Sequence, residues 1–228
     1  MTPRQVIESA ISERLAIDLL PAASPREVDE LERDLGRHVP PDVRDLLSLT
    51  TGFEFAPVGS VDFLGRDMSV ETYFRSVPIL ADHFGNFWVV DAEPESGEWG
   101  PVLFWCHDPA VLVVQAATLG EFLDQVFHLG RPGNRDALEA VREERSAEIA
   151  ADDPYLVSAE QARRSSEPLV AEFAADLPDS ACVADLRGAE VGAGLSWGGR
   201  YSDLSRHAGE LLFSVRRQSR LERLFRRS

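Results

Sequence analysis

Lysine is missing from this sequence; all 23 basic residues are arginine. Coding bias explains such a gap better than chemistry does, but it also removes the lysine that a P-loop needs. Cysteine is nearly missing too. Cys106 and Cys182 stand far apart without CxxC spacing, which excludes a disulfide scaffold and a structural zinc site. No apolar run approaches the roughly 18 residues of a membrane span, and no apolar leader opens the chain, so the expected home is a reducing cytoplasm. The 5 histidines (His38, His83, His107, His128 and His207) are scattered singly, without HxxxH or HExxH spacing, and predict no metal site. The stretch Gly192–Gly198 lacks the third glycine of a dinucleotide fingerprint and opens no clear helix, so it reads as a hairpin or bend. His107-Asp108 is the nearest approach to an acid–base pair. It falls in a predicted turn, where Asp caps backbone, and no nucleophile motif accompanies it. Neither a cofactor nor an enzyme is expected.

What the sequence has in plenty is acid. Its 39 Asp and Glu give a formal charge of −16 at pH 7, unevenly spread. Residues 1–130 carry 8 Arg against 22 acids, residues 131–199 carry 7 against 14, and residues 200–228 carry 8 against 3. A body so acidic repels nucleic acid and anionic membrane and attracts basic proteins; the plain alternative is a solvated surface. The basic end (Arg216, Arg217, Arg220, Arg223, Arg226, Arg227) reads as a solvated or internally docked segment. At 228 residues and 44% hydrophobic, the chain can build one large domain, or one domain plus an extension.

The organising stretch is 24–52. Ser24 and Glu27 have capping-box spacing around Pro25, and Val28, Leu31 and Leu35 form one apolar stripe ending at Gly36. Pro40-Pro41 then starts a second helix with Asp42 in its first turn and Val43, Leu46 and Leu47 inward. Before this clasp, Thr2 and Gln5 predict a helix reaching about Leu19. After Gly52 the period shortens, predicting strands at 61–64, 77–80, 87–91, 102–107 and 111–116. Their connections are too short for crossover helices, so an antiparallel meander is expected. Phe84-Gly85-Asn86 marks a turn, Glu93–Gly100 an acidic hairpin loop tipped by Trp99, and Thr118–Glu121 the start of a closing helix. Gly130–Asn134 reads as a boundary, giving a domain over 1–130, a linker at 131–134 and a mainly helical extension over 135–228. Within the extension, helices are expected at 136–150, after Ser158 in a helix that Pro168 kinks or shortens, and over much of 204–225, where 210–215 fits a strand equally well. A hairpin joins 182–186 to 191–197.

This order of helices, clasp, meander and closing helix resembles the SUKH superfamily over about residues 18 to 130. The likeness rests on the Ser24–Gly36 helix, Val39-Pro40, Leu46-Leu47, Gly52, Gly85-Asn86 leading to Val90-Asp91, the His107-Asp108 turn and Phe122-Leu123. It implies an α+β fold. It also implies a cytoplasmic bacterial immunity protein that covers the active or substrate-binding surface of a cognate toxin; the alternative is a regulatory adaptor, as in fungal members.

A partner-binding face is then sought among Glu54, Asp62, Asp67, Glu71, Asp91, Glu93, Glu95, Glu98 and Asp108, with Trp99, Trp88 and Phe84 as aromatic anchors. Charged rims around aromatic anchors are the usual anatomy of protein interfaces, and a basic surface on the partner is expected. Burial in a core competes for every aromatic. Alternation along 87–90 must bury either Phe87 and Val89 or Trp88 and Val90, which leaves Trp99 as the expected anchor.

Overall fold

The computed structural model describes residues 1–66, 76–93, 96–131 and 137–218. Thr2 caps α1 (Pro3–Ser12) in a full capping box with Gln5. Arg14, at φ 64°, ends it, and the chain turns into β1 (Ile17–Leu19). The helix therefore stops short of Leu19, because Ile17 and Leu19 pair across to Phe55 and Phe53 of β2 (Gly52–Phe55).

The clasp forms as its spacing predicts. In α2 (Pro25–Leu35) the Ser24 hydroxyl accepts from Glu27 N, while the Glu27 carboxylate accepts from Ser24 N at 2.8 Å. That backbone bond, with the Ser24 hydroxyl next, holds the Glu27 carboxyl below its ordinary range. Gly36 closes the helix at φ 70°, a region that an L side chain enters only at a cost. Val43, Leu46 and Leu47 of α3 (Pro41–Leu49) are buried in the same core as Val28, Leu31 and Leu35. Leu46→Ala is expected to cost about 2–5 kcal/mol, the range for truncating a buried leucine. A chemical denaturation midpoint equal to wild type would show that Leu46 has no packing role.

Gly52 opens β2 because a Cβ there would lie 2.0 Å from the Val61 carbonyl oxygen of β3 (Gly59–Asp62). β1, β2 and β3 make a small antiparallel sheet. The main sheet follows as β4 (Ser76–Ala81), β5 (Phe87–Ala92), β6 (Trp99–His107) and β7 (Ala110–Ala116), an antiparallel meander. Its alternation divides two cores. Trp88, Val90, Val102, Phe104, Val111 and Val113 face the helices, among them α1, α3 and α4 (Leu119–His128). Val89, Leu103, Trp105, Leu112 and Val114 face the other way.

Residues after the closing helix cover both faces. One continuous helical run, α5 (Ala137–Glu139), a π-helical segment (Ala140–Arg145) and α6 (Ser146–Asp152), puts Leu138, Val141 and Ile149 into the helical core. The Ser146 hydroxyl donates to the Val141 carbonyl at 3.0 Å, five residues back, where the wider π turn leaves that oxygen accessible. β10 (Gly194–Ser196) then adds to β7 as a fifth strand, Leu195 opposite Leu112. Gly194 is needed, since a Cβ would stand 2.3 Å from the Leu112 carbonyl oxygen and 2.8 Å from Ile149.

A third, C-terminal sheet, in the order β11 (Tyr201–Arg206), β12 (Leu212–Arg217), β9 (Ala181–Asp185), β8 (Val157–Ser158), closes the opposite face of the main sheet. Phe213 and Val215 point into the core shared with Leu103 and Leu112. Leu212 and Val183 point outward under α7 (Ala159–Ala162) and α8 (Pro168–Ala175). The layers run helix, sheet, sheet, helix.

The α+β class is as expected, and among the described residues the helices of the C-terminal part all fall between 137 and 175. Where helix was expected from 204 onward, β11 and β12 form a strand pair, and the strand alternative for 210–215 is the one taken, because Ala208 and Gly209 turn at positive φ and Phe213 and Val215 alternate with Leu212 and Ser214. Residues 219–228 lie outside the described residues. The hairpin expected across Arg187-Gly188 is instead a link between sheets: β9 pairs with β12 and β10 with β7. Pro168 starts α8 anew rather than kinking one longer helix. Most of the expected linker, residues 132–134, lies outside the described residues; the segments on either side share one sheet and two cores.

Candidate functional site

β5 carries the geometry of the whole face, because its two ends hold the two hairpins that the sequence places side by side. At one end the 93–98 connection leads into β6. Arg37, just past α2, reaches under it and donates to the carbonyls of Ala92, at 3.2 Å, and Glu93. Gly97 packs against the same corner, where a Cβ would stand 3.0 Å from the His38 carbonyl oxygen. Glu93 and Glu98 are exposed, Glu93 accepting the Ser96 hydroxyl. Trp99 does not tip the loop. It opens β6 opposite Ala92, half-buried against the helical core, because the strand begins three residues earlier than its β-rich run suggests.

Trp99 also lines a groove of about 620 Å³ in which the first turns of α1, α3 and α4 meet. Asp42, Glu121 and Asp124 stand on its walls. Two of these carboxylates sit in first turns, where they offset the positive ends of the helix dipoles, and Glu121 accepts the Ala117 N–H at 3.1 Å. The indole Nε1 is buried and has no hydrogen-bond partner among the described residues.

At the opposite end the β4–β5 turn stands beside the β6–β7 turn. Asp82 organises it: Oδ1 accepts from Phe84 N at 2.9 Å and Asn86 N at 3.1 Å, and Oδ2 accepts from the Asn86 amide at 2.7 Å. Asn86 Oδ1 in turn accepts from His107 N at 3.2 Å and lies 3.0 Å from His107 Nδ1. Gly85, at φ 89°, sits against the His107 ring, where a Cβ would be 3.3 Å from Cε1. His83 is held at φ 63°. Asp108 is exposed in the neighbouring turn. Burial pushes the Cys106 thiol up, a hydrogen bond with the Asp108 backbone pulls against it, and the charges of Asp82 and Asp108 act in the same direction as burial. A cleft of about 490 Å³ opens beside this tip, lined by Val58, Leu80, Trp88 and Leu138 and edged by Asp82, His83, Glu139 and Arg142.

The remaining expected acids fall elsewhere. Glu54 is exposed on β2, directly across from Asp18 on β1 and Ser60 on β3. Asp62 is turned inward, accepting from Leu64 N at 2.8 Å and Arg66 N at 3.1 Å, because a turn with no other partner for those amides follows β3. Asp91 is buried against Arg206 of β11 at 2.7 Å. Asp67, Glu71 and Glu95 lie outside the described residues. Among the described residues, the exposed members of the expected face stand at two separate ends, Glu93 with Glu98 and Phe84 with Asp108, and Glu54 belongs to neither end.

The aromatics sort differently from the spacing as well. Trp88 is 3% exposed and donates to Gln115 Oε1 at 3.0 Å, whereas Phe84 is 79% exposed. An aromatic at the apex of an Asp-to-Asn turn, where turn geometry asks for no ring, is the signal that separates Phe84 from the rest. Arg37 and Arg206 escaped the sequence reading because nothing local marks an arginine that will be paired across the fold.

Residues 22–125 match the family model of the SMI1 / KNR4 family (SUKH-1). No curated protein matches the chain.

Proposed function

We propose, for a chain whose residues 22–125 belong to the SMI1 / KNR4 family (SUKH-1), that it is a non-enzymatic cytoplasmic immunity protein. It binds a cognate toxin and covers the active or substrate-binding surface of that toxin with exposed carboxylates. The observation that carries the reading is the excess of 22 acids over 8 arginines in residues 1–130, with Glu54, Glu93, Glu98 and Asp108 all solvent-facing. An acidic cover suits a basic cleft, and many toxins that act on nucleic acid have one.

The test is co-expression with the C-terminal domain of a secreted protein encoded beside this chain. Restored growth supports immunity. A stable complex with a resident protein and no protection would favour the adaptor reading instead. Charge should also show in kinetics. Association is expected to slow at least about tenfold from low to high salt, the lower end of electrostatic steering, since the Debye length falls to about 8–10 Å near physiological salt. Glu93→Gln with Glu98→Gln should slow association at low salt only. An association rate blind to salt and to both substitutions would remove steering from the account.

A further inference from the structure

Phe84 is the most exposed aromatic side chain among the described residues, at 79%. A lone exposed apolar residue needs no explanation by itself. Here three further observations bear on it. The hairpin under the ring is fixed by Asp82, Asn86 and His107 through hydrogen bonds of 2.7–3.2 Å. Two of its residues, His83 and Gly85, hold positive φ, and His83 does so at a cost that a relaxed turn would avoid. The 490 Å³ cleft is lined by His83, by the apolar Val58, Leu80 and Leu138, and by Asp82 and Glu139. A ring held in one place loses little freedom on binding, which is the property of an interface anchor.

The charges around the tip say what it faces. Asp82 lies two residues before Phe84 and lines the cleft together with Glu139, and Asp108 is exposed in the β6–β7 turn that His107 ties to Asn86. Arg142 in the same lining lies 2.5 Å from Glu139 and 3.6 Å from Glu143, so its charge is met within the chain. The rim is net acidic, which disfavours nucleic acid and suits a basic protein.

We propose that the Phe84 tip is the anchor by which this chain docks a basic protein partner: the ring enters an apolar socket on the partner. A long basic side chain of the partner lies along the cleft towards Asp82. The proposal rests on the binding role argued above and gives it a location, at the end of β5 opposite Glu93, Glu98 and Trp99.

The experiment uses the full chain and, as probe, the C-terminal domain of the secreted protein encoded beside it, followed by surface-captured kinetics. Phe84→Ala is expected to raise the dissociation rate at least about 30-fold, the effect of losing one interface hot spot, with association nearly unchanged. Phe84→Tyr, which keeps the ring, should restore most of the residence time. Because the side chain is solvent-facing, an unchanged thermal midpoint is expected for both and shows that the fold is intact. Wild-type dissociation for Phe84→Ala, or fast dissociation for Trp99→Ala in its place, overturns the anchor and leaves the immunity reading standing. No binding by wild type overturns that reading, and this proposal with it.

Discussion

A chain cut after Gly130 is expected to lose its cooperative unfolding transition. The cut uncovers Val89, Leu103, Trp105, Leu112 and Val114, which the C-terminal sheet buries in the intact protein. At about 1.5–3 kcal/mol for each large apolar side chain, their exposure costs on the order of 10 kcal/mol, the whole net stability of an ordinary domain. The cut also removes Leu138, Val141 and Ile149 from the helical core and leaves β7 as an open edge where β10 was paired. Calorimetry of the truncated chain should show no sharp heat-absorption peak, and a hydrophobic dye should bind it. A sharp transition near that of the full chain would establish residues 1–130 as a domain that completes its own core. The family match stops at residue 125, so the covering sheet is supplied by sequence outside the matched region.

Local signals were legible in the sequence and long-range ones were not. The capping box of Ser24 and Glu27, the Gly36 stop and the meander strands are written in spacings of two to four residues; the helix signals appear where the spacing puts them, and the strands appear in the expected order with ends shifted by up to three residues. The same local grammar leaves 204–215 undecided, because Leu204, Ala208, Leu211 and Val215 share a helical face while 210–215 fits a strand equally well. Pairing with β9 decides it, since period-2 alternation buries Phe213 and Val215 against the main sheet while Leu212 packs under α8. The candidate site suffered the same way. Nothing near Asp91 in the chain marks it as the partner of an arginine 115 residues on. Its neighbour in the expected acidic face, Glu93, is exposed only two residues away because the strand ends between them. Exposure of Phe84 was within reach, since a ring in a turn has no core to enter.

Arg206→Met is expected to destabilise the protein by about 3–5 kcal/mol, the usual cost of removing one partner of a buried ion pair. Arg206 and Asp91 are each 5% exposed by side chain and lie 2.7 Å apart, tying β11 of the C-terminal sheet to β5 of the main sheet. Arg206 also donates to the Glu210 carbonyl at 2.7 Å and to that of Gly209, so it fixes the β11–β12 turn at the same time. A double variant, Asp91→Leu with Arg206→Met, should recover part of the loss by removing the orphaned charge. It should stay below wild type, because two carbonyls lose their donor at about 1–3 kcal/mol for each one left buried. The pH dependence has a definite sign. Burial raises the Asp91 carboxyl above its ordinary range against the pull of Arg206 and Arg37, so the folded state holds this proton more tightly than the unfolded one. The contribution of Asp91 is therefore fully present below the ordinary carboxylate pKa and is lost as pH rises through the raised value. Glu27 and Glu32, both lowered, run the other way and lose their contribution on acidification. Relative to the double variant, wild type should gain stability as pH falls through the raised Asp91 value. Denaturant titrations of wild type, both single variants and the double at several pH values measure the coupling. Additive single effects, or a wild-type midpoint for Arg206→Met, would mean that the two sheets are held by their shared apolar core alone.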